Sequence, residues 1–283
     1  MRIILVVILA MILAVILAMI LYFQVGTIEC FNVSHSIPKQ IWTYWDSDTI
    51  TSPVILGCIE SWKRHNPTYT INVLGPRRAK KLLGFDVKHL RMNDGPTRES
   101  DIIRANILQR YGGVWIDASI YMTAPMSFEG HYEFYGYKIE SFTSKPDIPV
   151  IENWFFATVP QGRFITAWRD EFMQAETFGS IKDALDAIKA QGILVDKIPS
   201  QEYLFMHICA QKVLQQDPSY LNMISLQVAE ETAFKYLTAN EWSTKGMDSL
   251  CKGENVRPLI KFRGVERKYL EENPDVFDCI QGL

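Results

Sequence analysis

Residues 3–23 form a run of 21 residues without a charge, and no other feature limits the fold of this chain so sharply. As a helix rising ~1.5 Å per residue, the run spans ~31 Å, the thickness of a bilayer's hydrocarbon core. It is built of Ile, Leu, Val, Ala and Met, with Tyr22 and Phe23 at its far end. A secretory signal has an apolar region of ~7–15 residues closed by a small-residue cleavage site. This run is longer, and Gln24-Val25-Gly26-Thr27 is a poor cleavage match. A helix packed in a globular core keeps a polar face, and this one has none. The expectation is a single-pass anchor over residues 1–23, in contact with lipid through 3–23, then a stem over 24–36 and a body over 37–283. Arg2 precedes the run and Glu29 follows it, so the positive-inside rule places the N-terminus in the cytoplasm and the body outside. Asn32-Val33-Ser34 is a glycosylation sequon, in keeping with a lumenal body.

The body reads as an ordinary globular chain. With 48% hydrophobic residues, 22% charged residues and a net charge of −3, disorder is excluded. The charge balance also lacks the basic footprint of a nucleic-acid binder. Strand-like and helix-like segments alternate. Strands are expected at 39–45, 69–74, 114–116 and 154–159. Helices are expected at 53–66, 77–83, 97–111, 164–177, 181–191 and 201–215, the last capped by Ser200. That alternation predicts an α/β fold with a mainly parallel sheet flanked by helices. Of the five cysteines, Cys251 and Cys279 pair if the compartment is oxidising; the alternative is that they are buried apolar residues.

The stretch that carries chemistry is SDIIRANILQRYGGVWIDASIYMT, residues 100–123. At 100° per residue, Ile103, Ile107, Leu108 and Tyr111 form one apolar arc. Arg104 falls inside that arc and Asp101 beside it, whereas a solvated pair would sit on the opposite face. The two are either an i,i+3 ion pair or groups at a cleft edge meeting a ligand. Gly112-Gly113 ends the helix, Val114-Trp115-Ile116 crosses the sheet, and Asp117 emerges at the strand's carboxyl end, where open α/β sheets bind ligands.

The pattern S-D-x-x-R, seven residues, G-G-x-x-x-D resembles the sugar-nucleotide site of glycosyltransferase family 32, closest to its capsular polysaccharide synthesis-type members. Ile37-Pro38-Lys39-Gln40-Ile41-Trp42-Thr43-Tyr44-Trp45 is similar to their opening strand. The resemblance implies a retaining transferase of the GT-A type, moving a sugar from a nucleotide-sugar donor, most simply a UDP-sugar, to a glycan or other acceptor. It implies that Trp42 and Tyr44 meet the donor base. It further implies that Asp101 and Arg104 hold the donor's hydroxyls and phosphates, and that Gly113 and Asn153 line the donor site. Asp117 would open a D-x-D-type motif for Mn²⁺ or Mg²⁺. Here Ser119 replaces the second Asp, which weakens the expected metal contact. Trp242 and Lys261-Phe262-Arg263 are candidates for a closing C-terminal segment. Because nucleotide-sugars are available in the Golgi lumen and not in a periplasm, the expected location is the Golgi. A bacterial inner membrane with a cytoplasmic body is the alternative. Ser119 also raises the possibility of a degenerate transferase acting as a sugar-binding or scaffold protein. An aspartyl phosphatase at Asp117 is disfavoured, since that chemistry wants an acid two residues on.

Overall fold

The computed structural model describes residues 36–283. The expected anchor, residues 24–35 of the expected stem, the Asn32 sequon and Cys30 lie outside the described residues. Among the described residues, no helix is long and apolar enough to cross a membrane.

In chain order the elements are β1 (Gln40–Tyr44), α1 (Pro53–His65), β2 (Thr70–Leu74), α2 (Pro76–Leu83), α3 (Pro96–Tyr111), β3 (Gly113–Ile116), β4 (Ile120–Met122), β5 (Phe134–Ile139), β6 (Val150–Thr158), α4 (Arg163–Met173), α5 (Ile181–Lys189), α6 (Phe205–Gln216), β7 (Ile224–Val228), α7 (Lys235–Thr238), α8 (Lys245–Cys251), β8 (Leu259–Lys261), α9 (Gly264–Glu272) and α10 (Pro274–Gln281). The main sheet runs β2-β1-β3-β6-β5-β7. Three of its five pairings are parallel, β1 with β2, β1 with β3 and β5 with β7. Strand β6 runs antiparallel to both β3 and β5. A separate two-stranded ribbon joins β4 to β8.

Local signals explain the element ends. Ser52 caps α1 by accepting the Ile55 N–H, Pro53 opens it, and Asn66 closes it ahead of Pro67. Pro96 opens α3 and Gly112 ends it with φ +60°. Period-2 alternation then sorts the strands between two apolar layers. Trp42, Tyr44, Trp115 and Phe156 join one layer with α3–α6. Ile41, Val114, Ile116 and Phe155 join the other with α1, β4, β8 and α7–α10. A disulfide links Cys251 of α8 to Cys279 of α10, with Cα atoms 5.5 Å apart.

One expected cap fails. Ser200 does not start a helix; its φ is +44°, not the extended backbone an N-cap needs. Residues 201–204 form a turn, and α6 begins at Phe205 with Leu204 in the capping position.

Candidate active site

The parallel strands β1 and β3 end side by side, at Tyr44 and Ile116. Because β6 is antiparallel, its first half lies at that same edge, with Ile116 opposite Phe155 and the Asp117 N–H donating to the Trp154 carbonyl at 2.8 Å. The N-terminal half of α3 approaches from one side. The end of β8 arrives from the other, in register Ile120 to Lys261. Together they enclose a cleft of about 930 Å³ whose walls include Tyr44, Asp101, Arg104, Asp117, Asn153 and Lys261.

Charges alternate along the floor. Arg98 Nη1 is 3.3 Å from Asp101 Oδ2, and Arg104 Nη1 is 3.4 Å from Asp101 Oδ1. Arg104 Nη2 is 3.1 Å from Asp117 Oδ1, and Lys261 Nζ is 2.7 Å from Asp117 Oδ2. Neutral donors complete the shell. Asn153 Nδ2 donates to Asp101 Oδ1 at 2.9 Å, and Trp115 Nε1 donates to Asp117 Oδ1 at 3.0 Å. Arg104 also donates to the Asn153 carbonyl at 2.7 Å and to Ser100 Oγ at 2.8 Å. Its guanidinium carbon lies 5.1 Å from the centre of the Trp115 ring.

This network splits the two carboxylates. Burial raises the Asp101 pKa, and the neighbouring Arg104, Arg98 and His207 only partly offset it. Burial pushes Asp117 the same way, but Lys261 and Arg104, with hydrogen bonds from Lys261 and Trp115, outweigh it and hold the carboxyl below its ordinary value. The Tyr44 hydroxyl donates to Glu99 Oε2 at 2.5 Å, and burial followed by that acidic partner drives its pKa up.

The cleft therefore unites Tyr44, Asp101, Arg104, Asp117, Ser119 and Asn153. It does not include Trp42 or Gly113. The Trp42 indole is buried in the α3–α6 layer, donating to the Gly112 carbonyl at 3.0 Å; Trp45, on the opposite strand face, reaches the cleft instead. Gly113 is a packing position with φ +95°, where a Cβ would fall 2.5 Å from the Gln40 carbonyl oxygen. Asn153 lies inside β6, which starts at Val150, ahead of the expected start at 154. His207, which no sequence signal singles out, lines the cleft with Nε2 3.1 Å from Glu152 Oε2. Trp242, Phe262 and Arg263 also reach the cleft, with the Arg263 guanidinium carbon 5.0 Å from the Trp242 ring centre.

The expected Mn²⁺ or Mg²⁺ does not fit the donor set. Asp117 presents one oxygen to Arg104 and the other to Lys261. Ser119 Oγ donates to the Phe262 carbonyl at 2.8 Å and lies 3.2 Å from Lys261 Nζ. Among the described residues, no group of three or more His, Cys, Asp or Glu side chains is placed to hold a metal ion. A hard cation that seeks six oxygens finds ammonium and guanidinium groups already on these two residues.

A cleft of this kind, at the strand ends of a mixed α/β sheet and walled by alternating carboxylates and cations, suits a ligand with both hydroxyls and phosphates. Residues 27–177, more than half of the chain, match the family described as capsular polysaccharide synthesis protein, and the chain belongs to that family. It is similar to the O-glycosyltransferase braB of Annulohypoxylon truncatum, 26% identical over 160 residues, covering 47% of this chain and 37% of that protein. It is also similar to the glycosyltransferase afumC of Aspergillus fumigatus, 26% identical over 163 residues, covering 50% of this chain and 41% of that protein. The match thus spans about two fifths of the length of these curated relatives. Among solved structures, the chain aligns with the ligand-free glycosyltransferase domain of the YGT toxin at 11% identity. That alignment covers 87% of this chain and 90% of that one, with a TM-score of 0.45.

Proposed function

We propose that the protein is a glycosyltransferase of the GT-A type, transferring a sugar from a nucleotide-sugar, most simply a UDP-sugar, to a hydroxyl of a glycan or similar acceptor. The observation that carries this reading is the meeting of Asp101, Arg104 and Asp117 at the cleft floor in a chain of the capsular polysaccharide synthesis family. Arg104 offers a planar fork to phosphate or sugar oxygens. Asp101, with both oxygens already engaged, acts as a positioning residue that fixes Arg104 and Asn153. Tyr44 and Trp45 stand at the end of β1, where a ring can stack on the base.

The carboxylates of the cleft floor are not free to attack the sugar, since Asp101 and Asp117 face cations and Glu152 faces His207; Asp46 lines the cleft just beyond the end of β1. Retention then proceeds on one face. The bond from the anomeric carbon to the phosphate oxygen breaks, and its electron pair stays on that oxygen. The acceptor oxygen bonds to the same carbon, and the acceptor's proton passes to the leaving phosphate oxygen. Product NMR showing an inverted anomeric centre rules this route out.

The test is to incubate the full chain with a panel of nucleotide-sugars and follow release of the nucleoside diphosphate. Turnover of one donor, lost in Asp117→Asn, supports the reading. If every donor binds without turnover, the second reading gains: a sugar-binding or scaffold protein, favoured by the tied-down Ser119.

For location, we propose that residues 3–23 anchor the protein in a membrane with its body in the Golgi lumen. The Cys251–Cys279 disulfide agrees with an oxidising compartment. Endoglycosidase treatment should shift the protein through its Asn32 glycan. No shift, with both cysteines free, points to a cytoplasmic body on a bacterial inner membrane.

A further inference from the structure

Lys261 stands where the sequence pattern leads one to look for a metal. Its ammonium bridges Asp117 and Ser119, the first and third residues of the D-x-S turn, at 2.7 and 3.2 Å. These are the two side chains that a divalent ion would have to share. The other Asp117 oxygen faces Arg104 and the Trp115 N–H, and the Ser119 proton is committed to the Phe262 carbonyl. An incoming ion would find its ligands taken and two positive groups beside them.

The ammonium is delivered by ordered backbone. Lys261 closes β8, opposite Ile120 of β4. Next to it the Phe262 N–H donates to the Ser119 carbonyl at 3.0 Å, which ties the end of β8 to the same turn that carries Asp117. The Lys261 N–H donates to the Ala233 carbonyl at 3.1 Å, and its own carbonyl accepts from the Tyr236 hydroxyl at 2.8 Å. The side chain is only 11% exposed, so its flexible stem has little room to carry the charge out to solvent.

Charge counting points the same way. The buried chain Arg98, Asp101, Arg104, Asp117, Lys261 alternates three cations with two carboxylates. Among the described residues, Arg98 is further matched only by Asp94, 3.6 Å away and 60% exposed. Arg267 adds a cation to the cleft wall, over Trp45 and without a carboxylate partner among the described residues. An ammonium has three N–H donors. Asp117 and Ser119 take two, which leaves one for a ligand in the cleft.

We propose that Lys261 replaces the metal: its ammonium binds the donor's diphosphate and stabilises the charge that develops there, so that turnover needs no divalent ion. This rests on the glycosyltransferase reading above. As the glycosidic bond breaks, its electron pair moves onto the departing phosphate oxygen. Lys261 donates a hydrogen bond to the diphosphate and keeps its proton, while the proton released by the acceptor goes to the phosphate oxygen that has left.

The test is calorimetric titration of the full chain with UDP and with GDP, in buffer containing EDTA and in buffer containing Mn²⁺. The expected result is that one nucleotide binds with dissociation constants within about twofold of each other in the two buffers, and that donor turnover persists in EDTA. Lys261→Met should weaken that binding in EDTA by tenfold or more, and Lys261→Arg, which keeps the charge, should retain most of it. A tenfold tightening by Mn²⁺ in the wild-type protein, or turnover abolished by EDTA and restored by Mn²⁺, overturns the proposal while leaving the glycosyltransferase reading intact. These wild-type measurements decide even where a variant fails to fold. Binding of neither nucleotide in either buffer removes the glycosyltransferase reading, and this proposal with it.

Discussion

Arg104 Nη2 lies 3.1 Å from Asp117 Oδ1, joining the first half of the sequence pattern to its second. The same guanidinium holds the Asn153 carbonyl and Ser100 Oγ and rests on Trp115. One side chain therefore ties α3, β3 and β6 together at the point where the ligand would bind.

Replacing Arg104 should harm turnover more than stability. Arg104→Ala is expected to lower kcat/KM for the donor by roughly 10²–10³-fold, the usual cost of losing one preorganised electrostatic group. Arg104→Lys keeps the charge but not the fork, so it should stay well below wild type. Nucleoside diphosphate release, measured alongside thermal melting, separates the two effects. Wild-type kcat/KM in Arg104→Lys would remove the fork geometry from the mechanism.

Asp117→Asn carries a pH signature. In the folded protein the Asp117 carboxyl lies below its ordinary value of 3.8, because Lys261 and Arg104 outweigh the effect of burial. Its ion pairs therefore contribute stability above the unfolded pKa, and that contribution is lost as pH falls through the folded pKa. At neutral pH the variant should be less stable by about 3 kcal/mol, since two cations lose their shared partner. The gap in Tm between wild type and variant should narrow as pH is taken from 7 to below 3.8. Burial, the largest cause of the raised Asp101 pKa, is common to both proteins, so the Asp101 contribution largely cancels in the difference. A gap that stays constant across that range contradicts the assigned direction.

The legible part of the site is its local part. Helix α3, the double glycine and β3 follow one another in the chain, so helical period, helix stop and strand end could be read in order. Lys261 was named only as a loose candidate because its partner is 144 residues away and its strand has three residues. Asn153 falls just ahead of the strand expected at 154–159, because a polar pair precedes the aromatic run. It belongs to β6 because Glu152 and Asn153 are satisfied by His207 and Asp101 across the cleft. Alternation puts Trp42 and Tyr44 on one face of β1 and Trp45 on the other, but Tyr44 and Trp45 both reach the cleft because they stand at the strand's end, whereas Trp42 lies deeper in the strand.

The two tryptophans of β1 and its end should behave differently. Trp42→Phe removes the bond to the Gly112 carbonyl and should cost about 1 kcal/mol, or roughly 2–4 °C in Tm, with donor KM unchanged. Trp45→Ala should lower Tm modestly, because its ring is partly buried against the second layer, and weaken nucleotide binding by about tenfold, through loss of stacking at the cleft. Titration calorimetry on both variants checks this. The reverse pattern would return the base to Trp42.

Gly113 tests the fold that carries the site. Its φ of +95° suits only glycine, and a Cβ there would press to 2.5 Å from the Gln40 carbonyl oxygen and 3.1 Å from the Trp42 indole nitrogen. Both obstacles belong to β1, which is held by β2 on its far side as β3 is held by β6, so the added carbon would force the β1–β3 pair apart. Displacement of β3 in that separation would carry Trp115 and Asp117 away from Arg104. Gly113→Ala should therefore cost roughly 3 kcal/mol, or ~6–12 °C in Tm, and reduce donor turnover in the molecules that remain folded. Gly84→Ala is the control. Gly84 has φ +84° but open space around its Cβ, so it should pay only the backbone strain and keep turnover unchanged. Equal losses of turnover in both variants would show that the close approach to β1 has no part in setting the site.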